Sequence, residues 1–177
     1  MLSGITLATK MIQDREFVEA SLILCNFLWP ITDCDPSPDK VGDPGLESRI
    51  VAAVLGNGVG EQDLYRVGER IFNLQRAILA REGHRGREFD TLPDHFFNLP
   101  VQYDQANADC VVPGKGGEVV SRKGAVVDWD EFERMKDEYY QVRGWDRETG
   151  IPTPQQLLKL DLPDIAEDMK KILGREK

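Results

Sequence analysis

Thiols and imidazoles are scarce in this sequence: three cysteines, Cys25, Cys34 and Cys110, and two histidines, His84 and His95, among 177 residues. The cysteines are odd in number and unevenly spaced, which excludes a disulfide framework and a zinc-ribbon pattern and fits a reducing compartment. They also exclude a self-contained four-iron cluster, which needs four thiolates, usually with several close in sequence. One or two of them can only contribute to a cluster completed elsewhere. Long apolar runs are lacking too. The most apolar stretch, 17–31, is broken by Glu19, Asn26 and Pro30, too short to span a bilayer and a poor secretory leader, so a cytoplasmic protein without membrane contact is expected. Basic charge is in deficit, with 22 Lys and Arg against 31 Asp and Glu and a net charge of −9. Such a surface repels polyanions, so no nucleic-acid partner is expected. No phosphate loop, dinucleotide turn or metalloprotease helix occurs.

What is present reads as helices. With 41% hydrophobic residues the chain is long enough for one full core. Between Lys10 and Leu28 the apolar positions Phe17, Leu22, Leu24, Cys25 and Leu28 are dense, as in a helix buried on most sides and stopped by Pro30. Asp-Pro and Ser-Pro pairs from Asp33 to Gly45 predict an ordered loop, and a short helix follows from Leu46 to Leu55, ending at Gly56. From Glu61 to Arg81, Leu64, Val67, Ile71, Leu74 and Ile78 recur at alternating steps of three and four, the stripe of a long amphipathic helix. Glu61 and Asp63 at its start and Arg76 and Arg81 near its end suit the helix dipole, and Gly83 is a natural stop.

A short helix is expected at Asp94 to Asn98. The glycine-rich stretch 111–127, with Val119-Val120 and Val126-Val127, predicts a loop or small β-hairpin. Asp128 and Glu131 form a capping-box pattern for a helix with a buried stripe of Phe132, Met135, Tyr139 and Val142, ended by Gly144. Thr153-Pro154 with Gln156 starts another helix, and Asp161, Pro163 and Asp164 start a last one that stops at Gly174. The expectation is an all-α, irregular multi-helix domain over 1–177, with one loop or hairpin excursion at 112–127.

Few residues announce chemistry. His84 lies in a polar loop and His95 precedes Phe96-Phe97; both suit solvated or structural roles as well as catalysis. The carboxylate runs 128–133 and 161–168 invite a metal or acid–base reading, but negative charge at helix starts explains them more simply. Cys25, between Leu24 and Phe27, reads either as an inert packing residue or as a ligand.

Three stretches bear on that choice. Glu19-Ala20-Ser21-Leu22-Ile23-Leu24-Cys25-Asn26-Phe27 resembles the cysteine motif in the C-terminal part of the tungsten-dependent aldehyde ferredoxin oxidoreductases. Gly68-Glu69-Arg70-Ile71-Phe72-Asn73-Leu74, continued by Arg81-Glu82-Gly83 and Asp90-Thr91-Leu92-Pro93, resembles the family's long helix and following loop. Glu138-Tyr139-Tyr140-Gln141-Val142-Arg143-Gly144-Trp145-Asp146, then Gly150-Ile151-Pro152-Thr153, is the third match. These pieces keep the family's order from Ser21 to Ile172.

The resemblance implies an oxidoreductase component. In such proteins a tungsten, or molybdenum, ion is held by two pterins, and a [4Fe-4S] cluster beside it passes electrons to ferredoxin, oxidising an aldehyde to an acid. Three cluster cysteines come from an upstream group that this chain lacks; Cys25 matches the fourth, making it the candidate metal ligand, with Leu24 and Asn26 lending backbone atoms near a pterin. A larger cofactor-binding chain or domain is the implied partner, and the chain alone is expected to bind no cofactor. No catalytic side chain is implied, and neither His84 nor Glu82 is supported. At Ala20 the family carries aspartate, whose carboxylate accepts hydrogen bonds that a methyl group cannot. The alternative is a helical interaction domain, not an enzyme, that kept the scaffold and lost the cofactor.

Overall fold

The computed structural model describes residues 4–25, 43 and 45–174. Asn26, Phe27, Leu28, Pro30, Cys34 and all but the end of the proline-containing loop lie outside the described residues. Within them the order is helix α1 (Gly4–Ser21), α2 (Leu46–Leu55), α3 (Glu61–Arg81) and α4 (His95–Asn98), strands β1 (Val111–Pro113) and β2 (Val119–Ser121), and helices α5 (Trp129–Arg143), α6 (Pro154–Lys159) and α7 (Pro163–Leu173). This is the irregular all-α architecture expected. β1 and β2 form a small antiparallel hairpin, Val111 opposite Ser121 and Pro113 opposite Val119. Val126 and Val127 lie outside both strands, with the Val127 amide donating to Phe96 O at 2.9 Å.

Helix ends follow local chemistry. The Gly60 amide donates to Asp63 Oδ2 at 2.8 Å at the start of α3. Asp128 Oδ1 accepts from the Glu131 amide at 2.8 Å, and Thr153 Oγ1 from the Gln156 amide at 3.2 Å, each satisfying a donor that the helix leaves open. Gly144 closes α5 at φ 68°, a conformation glycine adopts without strain. At α7 the expectation fails. Leu162, not Asp161, occupies the cap; Asp161 sits at φ 57° and its carboxylate takes Arg66 Nη2 at 2.9 Å.

The apolar core joins Ala77 and Ala80 of α3 to Ile151, Leu157, Leu160, Leu162, and to Ala166, Met169 and Ile172 of α7. Each large side chain buried there contributes about 1.5–3 kcal/mol. The seam of α3 differs from the expected stripe: Leu64, Gly68, Asn73, Ala77 and Ala80 are buried, while Val67 and Ile78 are exposed. Small residues allow the reason. A Cβ on Gly68 would meet Asp14 O at 1.9 Å, so α1 crosses α3 backbone to backbone. Similarly, the deepest residues of α5 are Lys136, Tyr140 and Arg143, one position on from the expected stripe, whose members are only partly buried.

Helix α1 departs most. It begins six residues before the expected Lys10 and ends at Ser21. Its described side chains reverse the usual sorting. Thr6, Asp14 and Glu19 are buried together with Val18, whereas Ile5, Leu7, Met11 and Ile12 are exposed. The helix is therefore not buried on most sides, because its inner face meets charged partners.

Candidate functional site

Cys25 is positioned by the turn that ends α1. The Ile23 amide donates to Ala20 O (3.2 Å) and the Leu24 amide to Glu19 O (2.9 Å), with Ile23 at φ 60°. This pair of bonds is a Schellman closure, which normally uses glycine at the left-handed position. A β-branched residue there is strained by roughly 1–2 kcal/mol. Ile23 is 93% exposed, Leu24 is half-buried, and the Cys25 thiol is free and exposed. The packing role is thus not what this structure gives Cys25. Ala20 faces outward, and Glu19 does not replace its missing carboxylate: Glu19 is 2% exposed and pairs with Arg15 Nη2 at 2.7 Å. Burial lifts its pKa above the ordinary glutamate value; Arg15 opposes the rise and Glu47 adds to it.

Nearer the middle of α1, this helix, α3 and α5 are joined by Arg143, which has no exposed surface. Its Nη1 donates to Asp14 Oδ1 at 2.5 Å, its Nη2 to Gln13 Oε1 at 2.7 Å and its Nε to the Tyr139 hydroxyl at 3.0 Å. The guanidinium also lies 4.2 Å from the centre of the Phe72 ring, a cation–π arrangement. Lys10 Nζ completes the set, 2.7 Å from Asp14 Oδ2 and 3.2 Å from Glu69 Oε1. Burial raises the pKa of Tyr139, with Arg143 opposing, so its hydroxyl stays protonated and donates to Gln13.

A second cluster lies alongside. Arg76 grips Asp90 with two bonds, Nη1 to Oδ1 at 2.8 Å and Nη2 to Oδ2 at 2.5 Å, while its Nε donates to Gly150 O at 2.9 Å. The Tyr140 hydroxyl donates to Asp90 Oδ2 at 2.6 Å; burial first, and that hydrogen bond second, push its pKa upward. Trp145 donates from Nε1 to Asn73 Oδ1 at 2.7 Å and stacks on Phe72. Together Phe72, Arg76, Asp90, Lys136, Tyr140 and Trp145 help line a cleft of about 380 Å³. Both oxygens of Asp90 are engaged, so the cleft offers shape and polarity but no unoccupied carboxylate base.

The remaining candidates fall into structural roles. His84 packs on Phe89 and His95 on Phe96. Asp128 caps α5; Glu167 and Asp168 pair with Lys170 and Lys171. Among the described residues no three His, Cys, Asp or Glu side chains are grouped to hold a metal. Among the described donors, the exposed Cys25 thiol has the chemistry of one thiolate arm of a cluster.

The family model for aldehyde ferredoxin oxidoreductase, domains 2 and 3, matches residues 2–162. The chain belongs to that family. The tungsten-containing aldehyde ferredoxin oxidoreductase of Pyrococcus furiosus is 29% identical over 118 residues, covering 67% of this chain and 16% of that protein. Those of Pyrococcus horikoshii and Thermococcus kodakarensis are 28% identical over 116 residues and 27% over 103, covering 66% and 58% of this chain and 16% and 14% of those proteins. The match thus spans a small fraction of the oxidoreductases' own length. A solved structure, the active-site complex BamBC of benzoyl coenzyme A reductase with 1,5-dienoyl-CoA, has a TM-score of 0.48 and 20% identity, covering 72% of this chain and 15% of that one.

Sequence reasoning singled out Cys25 by resemblance and did not single out the side chains that fix its helix in place. Arg143, Asp14, Arg76 and Asp90 carry charge in a chain rich in charge, so composition does not single them out. The available signal was position: Arg143 falls within the family stretch at Tyr139-Tyr140-Gln141-Val142-Arg143-Gly144-Trp145, and Asp90 within Asp90-Thr91-Leu92-Pro93.

Proposed function

We propose that this chain is the C-terminal component of a tungsten–pterin, iron–sulfur aldehyde:ferredoxin oxidoreductase, a single helical domain over 1–177 that completes the cofactor site with a larger chain or domain and is inactive alone. The supporting observation is the exposed Cys25 thiol, presented just after the hydrogen-bonded turn that ends α1, in a region matched by the family's domains 2 and 3. Cys25 ligates one iron of the [4Fe-4S] cluster, and the backbone of Leu24 and Asn26 borders a pterin. The bound metal, pterins and cluster supply the two-electron oxidation of an aldehyde and electron transfer to ferredoxin. This chain's own part is to close the cluster site and hold it rigid through Arg143 and Asp14. No general acid or base is assigned to it. The reading carries a cytoplasmic location; among the described residues no helix is long and apolar enough to cross a membrane.

The test is Cys25→Ser made in the assembled enzyme. Iron content falls by at least one atom per site and ferredoxin reduction is lost, while helix content is unchanged. Full iron loading of the variant, or an iron-loaded and active lone chain, overturns the reading. Ala20 favours a second one, a helical interaction domain that no longer serves the cofactor, since its methyl group and the inward Glu19 leave no carboxylate for a pterin edge. Under that reading Cys25→Ser changes neither iron content nor assembly.

A further inference from the structure

The cleft of about 380 Å³ bounded by α3, α5 and the Phe89-Asp90-Thr91 segment has the volume of a small-molecule site. Six of the thirteen residues that line it are aromatic, so its walls suit a flat apolar guest. Tyr140 and Trp145 are buried, whereas Phe89 is exposed and Phe132 partly so, and these two leave ring surface open to such a guest.

The polar capacity of the cleft is one-sided. Asp90, the one carboxylate in the lining, has both oxygens engaged by Arg76 and Tyr140. Gln13 Oε1 already accepts from Tyr139 and Arg143. What remains are donors. Lys136 Nζ spends two of its three hydrogens, on Glu133 Oε1 at 2.7 Å and on Arg87 O at 3.1 Å. Each Nη of Arg76 spends one of its two on Asp90. Charge points the same way. The lining holds two cations, Arg76 and Lys136, against Asp90, and the Glu133 that pairs with Lys136 is not part of it. The cleft surface therefore carries one positive charge in excess, within a chain of net charge −9. Both cationic side chains are only 10% exposed, where solvent ions screen a charge-assisted bond weakly.

We propose that this cleft binds a small aromatic monocarboxylate, its ring against Phe89 and Phe132 and its carboxylate on the uncommitted hydrogens of Lys136 and Arg76. Cys25 does not line the cleft, so the proposal stands apart from the cluster role.

Titration of the full chain with sodium benzoate, benzamide and cyclohexanecarboxylate, at constant ionic strength and followed by amide NMR, tests this. Benzoate should saturate shifts at Gln75, Thr91 and Lys136 with a Kd on the order of 1 mM or tighter. The uncharged amide and the non-aromatic acid should each bind at least about tenfold more weakly. Shifts that do not saturate, that fall elsewhere on the chain, or that saturate equally with either analogue overturn the proposal. A second arm changes charge without touching the folded interior. Gln75 is exposed on the lining; Gln75→Glu should weaken benzoate about tenfold and Gln75→Lys should tighten it. Gln155→Glu, exposed on α6 outside the cleft, should leave affinity unchanged. Equal effects at 75 and 155, or none at either, overturn the site. Cys25→Ser keeps the two ideas apart: whatever it does to iron, benzoate affinity should hold, and its loss would overturn a cleft independent of the thiol.

Discussion

Replacing Gly68 by alanine sets two effects of opposite sign against each other. In the middle of an exposed helix the change gains about 1 kcal/mol of helix propensity. Here the added Cβ would stand 1.9 Å from Asp14 O and 2.7 Å from its carbonyl carbon, against about 3.5 Å for unstrained contact. The obstacle is backbone, so relief requires α1 to move off α3 by about 1.5 Å. That movement stretches the Arg143 to Asp14 bond, now 2.5 Å, and the Lys10 to Glu69 pair at 3.2 Å. Overpacking alone costs about 1–3 kcal/mol, and separating a buried guanidinium from its carboxylate approaches about 3–5 kcal/mol when complete. We expect a net loss of about 3 kcal/mol, measured by urea unfolding followed by far-UV circular dichroism. Gly58→Ala, with open space around its Cβ, should change stability by less than about 0.5 kcal/mol. A Gly68→Ala chain as stable as the parent, or more so, refutes the close crossing.

Other substitutions probe the same scaffold. Arg143→Gln strands the buried Asp14 carboxylate and should cost about 3–5 kcal/mol, part of which Asp14→Asn recovers in the double variant; strict additivity in calorimetry would show that the two do not interact. Ile23→Gly relieves the left-handed strain and should raise stability by about 0.5–1 kcal/mol; a fall in melting temperature would contradict the observed turn. Glu19 has a folded pKa above 4.5, chiefly through burial and against the pull of Arg15. It therefore binds its proton more tightly folded than unfolded, which favours folding at pH below about 4.5 and is lost as pH rises through the raised value. Glu19→Gln should flatten that decline in pH-dependent unfolding, and an unchanged slope counts against it.

The boundaries of α2 and α3 were legible to the residue because Gly56, the acidic first turn at Glu61 and Asp63, and Gly83 are strong punctuation. Asp128 and Thr153 announced their helices in the same way. The burial of those helices was not legible, for a physical reason. A binary pattern assumes that apolar side chains face inward, yet buried Arg143 of α5 pairs with Asp14 of α1 and buried Asn73 of α3 takes the Trp145 indole N–H, pairings that appear only when distant segments converge. Backbone proximity at Gly68 then rotates the seam of α3 away from Val67 and Ile78. At Cys25 the family stretch indicated a role for the sulfur, but the end of α1 at Ser21 rests on an isoleucine in a conformation that local preference assigns to glycine.

Trp145 lies where α1, α3 and α5 converge, stacked on Phe72, edge-on to Tyr139, beneath Arg76 and bonded to Asn73. Trp129, by contrast, is half in solvent. The indole at position 145 is thus an emission probe already built into the junction of the three helices. With Trp29 and Trp129 replaced by phenylalanine, light from it reports, without any attached dye, whether α1 stays seated.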